Sequence, residues 1–171
     1  MEPDAGTVTD GAPTDSSLPI DADPFDAIRT QCMAAGYTSN AATGSYYRIV
    51  TANASWNAAY ADCNDDVVGA THLMTMSNAA EVTFLMSHND HWVGWIDRPT
   101  EGAWHILTDE ETVIDQLTYW GNNRPDGGNS ENCAVFRNNV DGKAGYDDTD
   151  CPVARDYVCE CDGRPVTKPP S

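Results

Sequence analysis

Positive charge is scarce in this sequence. Its 171 residues include 9 lysines and arginines against 27 aspartates and glutamates, which gives a formal net charge of -18. A chain of this kind repels phosphate backbones and anionic lipid headgroups, so we expect no nucleic acid partner and no anionic membrane partner. Most of the acidic excess is explained by solubility.

Long apolar runs are missing as well. No stretch of about 18 apolar residues occurs, so we predict no membrane insertion. Met1 is followed by acidic and small polar residues rather than by basic and apolar regions, and we therefore expect no signal peptide in this chain. No serine, cysteine or lysine stands in a recognisable nucleophile motif, which predicts a protein that is not an enzyme.

The sequence also lacks a Cys-x-x-Cys pair, which argues against a zinc site. Its six cysteines instead indicate disulfides and an oxidising compartment, so we expect an extracellular protein, either secreted or tethered at the cell surface. Many pairings are open to six cysteines. Cys159 and Cys161 should point to one face of a strand at the edge of disulfide reach, so each is expected to have a different, distant partner.

Composition divides the chain into three parts. Residues 1–30 are acidic and poor in large apolar residues, which predicts a disordered linker or stalk. Residues 31–163 are the predicted folded domain, and residues 164–171 form a Pro-rich tail.

Local signals in the folded part predict two helices and several strands. Ser55 is placed to cap the first helix, and Asn78 with Glu81 forms the capping-box start of the second. Strands are predicted at 45–50, 72–76, 92–96, 103–107, 133–136 and 157–159. The segment 108–132 is long and polar, as in many functional loops. This order predicts an α+β domain with an antiparallel sheet.

Oxygen-bearing side chains are concentrated at the end of this segment and just beyond it. Arg124-Pro125-Asp126 is followed by Glu131-Asn132-Cys133, and Tyr146-Asp147-Asp148 ends three residues before Cys151. Calcium takes six to eight such oxygen ligands. Carboxylates that converge without a counter-ion repel one another strongly. The pattern therefore predicts a hard-cation site.

Taken in order, these residues resemble the motifs of the C-type lectin-like domain. The matching positions extend from Tyr46 to Cys161 and include Trp56, Ala59, Cys63, His72-Leu73, Ser77, Glu81, Trp92-Val93-Gly94-Trp95, Trp104, Trp120 and the motifs just quoted. The resemblance implies a C-type lectin-like fold, with two helices, antiparallel sheets, a long disulfide-closed loop region and a preceding strand around Cys32. It also implies the disulfides Cys63–Cys159 and Cys133–Cys151, which leaves Cys32 to pair with Cys161.

The same resemblance implies a binding site. Sugar-binding members hold one calcium ion (Ca2+) beside the long loop, and two vicinal hydroxyl groups of a carbohydrate (glycan) ligand complete its coordination. Carried over one residue at a time, the carbohydrate-binding positions are Arg124, Asp126, Glu131, Asp147 and Asp148. The metal ligands among them are Asp126, Glu131, Asp147 and Asp148.

Two residues depart from that pattern. Mannose-type members carry E-P-N and galactose-type members Q-P-D, whereas Arg124 offers no oxygen ligand. Asp147 replaces the asparagine of a W-N-D motif and adds a negative charge. Arg124 either swings away and leaves the acids to calcium, or enters the acidic cluster in place of the metal. The first alternative predicts calcium-dependent carbohydrate binding. The second predicts a calcium-independent module that binds a protein or another surface through the same loop.

Three further expectations concern this region. Asp126 favours galactose-type sugars, but the loop 127–130 has no aromatic ring to stack on them. A second calcium site, present in some family members, is not expected because Gly127 and Asn132 stand where acids are usual. Trp120 is the tryptophan expected to be a sugar-stacking platform, while the others are assigned to the core.

Overall fold

The computed structural model describes residues 24–109 and 119–168. Within these ranges, three helices and eight strands follow one another. They are α1 (Pro24–Ala34), β1 (Thr38–Ser39), β2 (Tyr46–Ala54), α2 (Trp56–Asp65), β3 (Thr71–Leu73), α3 (Ala79–Leu85), β4 (His91–Ile96), β5 (His105–Ile106), β6 (Cys133–Val140), β7 (Lys143–Thr149) and β8 (Arg155–Cys161). A 3-10 turn, Gly128–Ser130, precedes β6.

The strands form one sheet in the order β1-β2-β8-β4-β6-β7, with β3 beside β8 and β5 beside β4. Strand pairs are antiparallel except β4 and β8, which run parallel. The α+β class is confirmed. The sheet is mixed rather than purely antiparallel, because the last strand returns beside β4 in the same direction after the β6–β7 hairpin.

Alternating side chains of the central strands build two apolar cores, one on each face of the sheet. Trp92 and Ile96 of β4 belong to the core that also contains Trp56 of α2. Val93 and Trp95, which point to the other face, belong to the second core. This second core lies beneath the loop that holds the candidate site.

Both predicted helix starts are present. The Ser55 hydroxyl accepts the N–H of Ala58 at 3.3 Å and begins α2. Asn78 accepts the N–H groups of Ala80 and Glu81, and the Glu81 carboxylate accepts the N–H of Asn78 at 3.2 Å. These side chains satisfy backbone donors that a helix leaves free at its first turn.

The start of the domain differs from the expectation. Cys32 lies in helix α1 and not in a strand, and this helix begins seven residues before the boundary predicted at residue 31. Phe25 and Ile28 of α1 lie against Gly163, so that a Cβ atom there would be 2.7 Å from the Phe25 ring. Packing of these apolar side chains stabilises a helix that the acidic composition of residues 1–30 did not predict. Residues 1–23 of the predicted linker lie outside the described residues.

The end of the domain also extends further than predicted. The N–H groups of Thr167 and Lys168 both donate to the Leu107 carbonyl at 3.0 Å, and Val166 packs on the first core. Residues 164–168 are therefore attached to the sheet domain rather than forming a separate tail. Residues 169–171 lie outside the described residues.

Three disulfides close the fold, Cys32–Cys161, Cys63–Cys159 and Cys133–Cys151. They are the pairs that the resemblance implies. The first two attach α1 and α2 to the final strand, and the third joins β6 to the residues that follow β7. No helix within the described ranges is long and apolar enough to cross a membrane.

Candidate functional site

The candidate site forms where the long loop passes strand β7. The Gly121 N–H donates to the Tyr146 carbonyl at 2.8 Å, and Trp120 makes an isolated bridge with Tyr146. A Cβ atom at Gly145 would lie 2.3 Å from the Tyr119 carbonyl oxygen, so glycine permits this close approach. The following loop segment is thereby held against Asp147 and Asp148 of β7. The Arg124–Pro125 peptide bond within it is cis.

All five sequence-predicted site residues line one cleft of about 470 Å³. Arg124, Asp126 and Glu131 come from the loop, and Asp147 and Asp148 come from β7. Ligand oxygens of Asp126, Asp147 and Asp148 lie within 4.8 Å of one another. A cluster of hard carboxylate oxygens on this scale suits calcium better than a soft transition metal.

Asp148 organises the loop backbone. Its side chain is 3% exposed, and its two oxygens accept the Asp126 N–H at 3.0 and 2.9 Å. The Gly127 N–H donates to the same carboxylate at 2.6 Å. These bonds hold the residues after Pro125 beside β7, and they leave lone pairs of the carboxylate facing the cleft.

Asp147 has a different environment, because arginines engage both of its carboxylate oxygens. Arg124 donates from Nε to Oδ1 of Asp147, and Arg137 of β6 donates from Nη1 to Oδ2. Arg124 also donates from Nη1 to Asp126 at 3.0 Å and to Asp141 at 3.3 Å. The hydrogen bond and negative charge of Asp147 raise the pKa of Arg124 despite opposing desolvation.

Glu131 is short of positive charge by comparison. No salt bridge to Glu131 occurs within the described part of the chain. Desolvation raises the pKa of the Glu131 carboxyl, and the charges of Asp148, Asp126 and Asp147 raise it further. A Cβ atom at Gly127 would lie 2.1 Å from Oε2 of Glu131, so this carboxylate packs directly on the glycine. The arginines thus bind carboxylates at one end of the cleft, whereas Glu131 and Asp148 at the other end form no salt bridge with an arginine among the described residues.

Sequence reasoning missed four charged residues around the site. Arg137 and Asp141 contact it through the salt bridges just described. Asp97 is 1% exposed, and its Oδ1 atom has no hydrogen-bond partner among the described residues. The pKa of exposed Glu101 is raised by desolvation and then by the charges of Asp97 and Asp148. The position of Asp97 directly after the Trp92–Ile96 run was the signal available in the sequence.

Trp120 is not a sugar-stacking platform. Its side chain is 3% exposed, and its ring packs edge-to-face against Trp104 at 4.7 Å and against Tyr146 at 5.8 Å between ring centroids. The hydrogen bonds of the loop with β7 draw this residue under the site, where it belongs to the second core. The expectation of an exposed ring was therefore wrong.

Known proteins are similar to this chain. The family described as "Lectin C-type domain" matches residues 52–161. The CD209 antigen-like protein A of Mus musculus is 28% identical over 121 residues, which are 68% of this chain and 48% of that protein. The present chain thus spans about half the length of that relative. The alpha-N-acetylgalactosamine-specific lectin of Patiria pectinifera is 29% identical over 127 residues, 68% of this chain and 74% of that lectin.

Fold similarity extends to solved structures. A calcium-independent type II antifreeze protein of known structure has a TM-score of 0.60 and 22% sequence identity, with coverage of 73% of this chain and 90% of that protein. The motifs in register, the disulfide-closed loop and the family match over most of the described domain lead to one conclusion. The chain belongs to the C-type lectin domain family.

Proposed function

We propose that this domain binds carbohydrate through calcium held in the loop cleft. The observation that carries this proposal is the acidic end of the cleft, where Glu131, which has no salt bridge among the described residues, lies near Asp148 and Asp126. Desolvation raises the pKa of Glu131, and repulsion from these aspartates adds to the shift. A divalent cation relieves that repulsion and satisfies carboxylate lone pairs that the arginines do not reach.

The residues present fit calcium as a donor set. Asp126, Glu131 and Asp148 supply carboxylate oxygens, whereas Asp147, the remaining ligand position of the family pattern, has both oxygens bonded by arginines. When bound, calcium offers open coordination positions to sugar hydroxyl groups. The chain itself orients the loop carboxylates, because Asp148 fixes the backbone of Asp126 and Gly127 through the N–H bonds at 2.6–3.0 Å. Binding involves no covalent step, so the proposed role is recognition rather than catalysis.

Two features bear on the sugar. Asp126 follows the loop proline as in galactose-type members, and one relative is named for its specificity for alpha-N-acetylgalactosamine. The loop turn Gly128–Ser130 presents no aromatic ring, and Trp120 is buried. We therefore propose a galactose-type ligand recognised by coordination and hydrogen bonds without ring stacking.

We also propose that the protein acts outside the cell, on glycans of a surface or a soluble partner. Three disulfides of this kind are typical of oxidising compartments. The acidic residues 1–30 are proposed as the linker that presents the domain.

A second candidate function follows from Arg124. Its guanidinium donates to Asp147, Asp126 and Asp141, and so occupies part of the acidic cleft with a built-in positive charge. A calcium-independent module would use the same loop surface to bind a protein or another surface, with Arg124 in place of the cation. The fold alone permits this, since one structural neighbour is calcium-independent.

A calcium titration by calorimetry separates the two candidates. We expect the unmodified protein to bind calcium with a dissociation constant of about 0.1–1 mM, as in extracellular modules. Asp148→Ala should abolish calcium binding and sugar binding together. Asp65→Ala removes the same charge from an exposed site on α2 and serves as the matched control. Absence of any calcium binding at millimolar concentration rejects the lead proposal in favour of the second.

A further inference from the structure

Charged side chains form a continuous ladder that leads away from the cleft across the sheet. Arg155 of β8 and Arg137 of β6 both donate to Oδ1 of Asp90, the latter from Nε at 2.9 Å. Arg137 then donates from Nη1 to Asp147, which also accepts from Nε of Arg124. The ladder therefore alternates in sign from Arg155 to Arg124. It joins the loop to three strands and to the turn before β4.

The register of the β6–β7 hairpin explains how Arg137 reaches Asp147. Arg137 is paired with Gly145, and Asp147 stands two residues further along β7. Diagonal neighbours of this kind lie on the same face of a sheet and within reach of long side chains. The Arg137–Asp147 contact is thus a product of the pairing between β6 and β7.

Asp90 holds Arg137 in place through a hydrogen bond from the Arg137 Nε atom. The backbone at Asp90 has a positive φ of 64°, and its N–H donates to the Phe136 carbonyl at 2.8 Å. The second arginine on Asp90, Arg155, lies over the Trp92 ring at 5.4 Å from its centroid. The planar fork of Arg137 addresses Asp90 and Asp147 from two different nitrogen atoms, which sets its orientation.

We propose that Arg137 is a positioning residue that makes Asp147 an anchor for Arg124 rather than a calcium ligand. Both Asp147 oxygens are engaged by guanidinium groups, and its side chain is 5% exposed. A cation at either oxygen would stand beside a guanidinium that already forms a charge-assisted bond there, and the two positive charges would repel each other. Held in this way, Arg124 stays beside Asp126 and leaves Glu131 and Asp148 to calcium. This inference rests on the proposed calcium site for its function but not for its geometry.

The geometry is tested without calcium. In ¹⁵N-labelled protein the seven arginines give few Nε–H signals in NMR spectra. Nε–H protons that are hydrogen-bonded exchange slowly with water. We expect slow exchange for Arg124 in the unmodified protein and fast exchange in Asp147→Ala. Arg137→Gln should accelerate exchange at Arg124 although it does not touch that residue, and Arg137→Lys should do so to an intermediate degree. Arg29→Gln, on α1, removes the same charge elsewhere and should change nothing.

The functional role is tested by a calcium titration of a double-mutant cycle. Asp147→Ala frees Arg124 to move over the remaining acids, so calcium binding should weaken about tenfold. In the Arg124→Gln background the same substitution should have an effect of less than about twofold, since no arginine remains to be anchored. An equal loss in both backgrounds would show that Asp147 is itself a ligand and overturn the proposal.

The exchange measurement and the calcium titration can still be interpreted separately if the proposed function is wrong. Absence of calcium binding in every variant would reject the calcium site, while the exchange rates would still decide whether Asp147 anchors Arg124. If Asp147→Ala does not fold, Arg137→Gln provides both measurements, the exchange rate at Arg124 and the calcium affinity. The effect of Arg137→Gln on calcium affinity should vanish when Arg124 is also replaced. Fast exchange at Arg124 in the unmodified protein rejects the anchor outright.

Discussion

Gly127 offers a way to move one proposed calcium ligand without deleting it. Its φ of -84° suits any residue, so alanine at this position introduces no backbone strain. The added carbon would lie 2.1 Å from Oε2, 2.3 Å from Cβ and 2.4 Å from Cγ of Glu131. Van der Waals contacts between such atoms are about 3.5 Å, so Glu131 must move by roughly 1 Å. Because its Cβ atom is involved, rotation of the side chain alone does not remove the clash.

We therefore expect Gly127→Ala to weaken calcium binding by roughly 10- to 100-fold, as happens when the support of a metal ligand is disturbed. This corresponds to about 1.4–2.8 kcal/mol of binding free energy. The free energy of unfolding of the calcium-free protein should change little, since the loop turn buries no apolar side chain of its own.

Calorimetric titration with calcium and denaturant unfolding of the calcium-free protein measure the two quantities. Asn129→Ala, an exposed change in the same turn, is the control for a general effect on the loop. In a Glu131→Gly background, which removes the Cβ atom as well as the carboxylate, the substitution at Gly127 should have no further effect on calcium affinity. A folded Gly127→Ala protein with unchanged calcium affinity would show that Glu131 is not a ligand.

Three other predictions follow from single residues. Calcium requires the ionised form of Glu131, whose pKa is raised, so calcium affinity should begin to fall on acidification at a pH above the ordinary range of glutamate. Without calcium the sign reverses, because protonation of Glu131 removes a desolvated charge that the neighbouring aspartates also repel, and the fold is stabilised as the pH falls towards that pKa; unfolding at several pH values tests this. Trp120→Ala should cost about 3–5 kcal/mol in unfolding free energy through loss of core packing, whereas lost sugar binding at unchanged stability would restore the stacking role. Asn78→Ala should cost about 1 kcal/mol by removing the α3 cap and leave calcium binding intact, as calorimetry would show.

Elements encoded by short-range signals were predictable from the sequence. Ser55 and Asn78 cap their helices with local hydrogen bonds, and neither depends on distant residues. The apolar run from Trp92 to Ile96 is a buried strand because both of its faces meet a core. In these cases the local pattern and the tertiary structure require the same conformation.

Elements defined by distant partners were missed. Strand β7 contains two consecutive aspartates, a composition that does not favour a strand, and it forms because β6 pairs with it through a tight turn at Asp141 and Gly142. Helix α1 lies in an acidic context, yet it is fixed by packing on Gly163 and by the disulfide of Cys32. The contacts of α1 lie outside any local window of sequence, whereas the Asp-Gly turn of the β6–β7 hairpin was a local signal.

The candidate site shows the same division. Motif spacing identified Arg124 and the four acids, which line one cleft. The direction of the Arg124 side chain depends on Asp147 and Asp141, and the hold on Asp147 depends on Arg137. These contacts arise from the register of β6 against β7, which sequence alone does not state.

The central claim is that a loop-bound calcium ion recognises sugar, and binding to an immobilised glycan array with and without chelator tests it most directly. The account predicts binding to galactose-type glycans in millimolar calcium, release by a chelator, and no binding by Asp148→Ala. Binding that persists in chelator, or that survives Asp148→Ala, would contradict it.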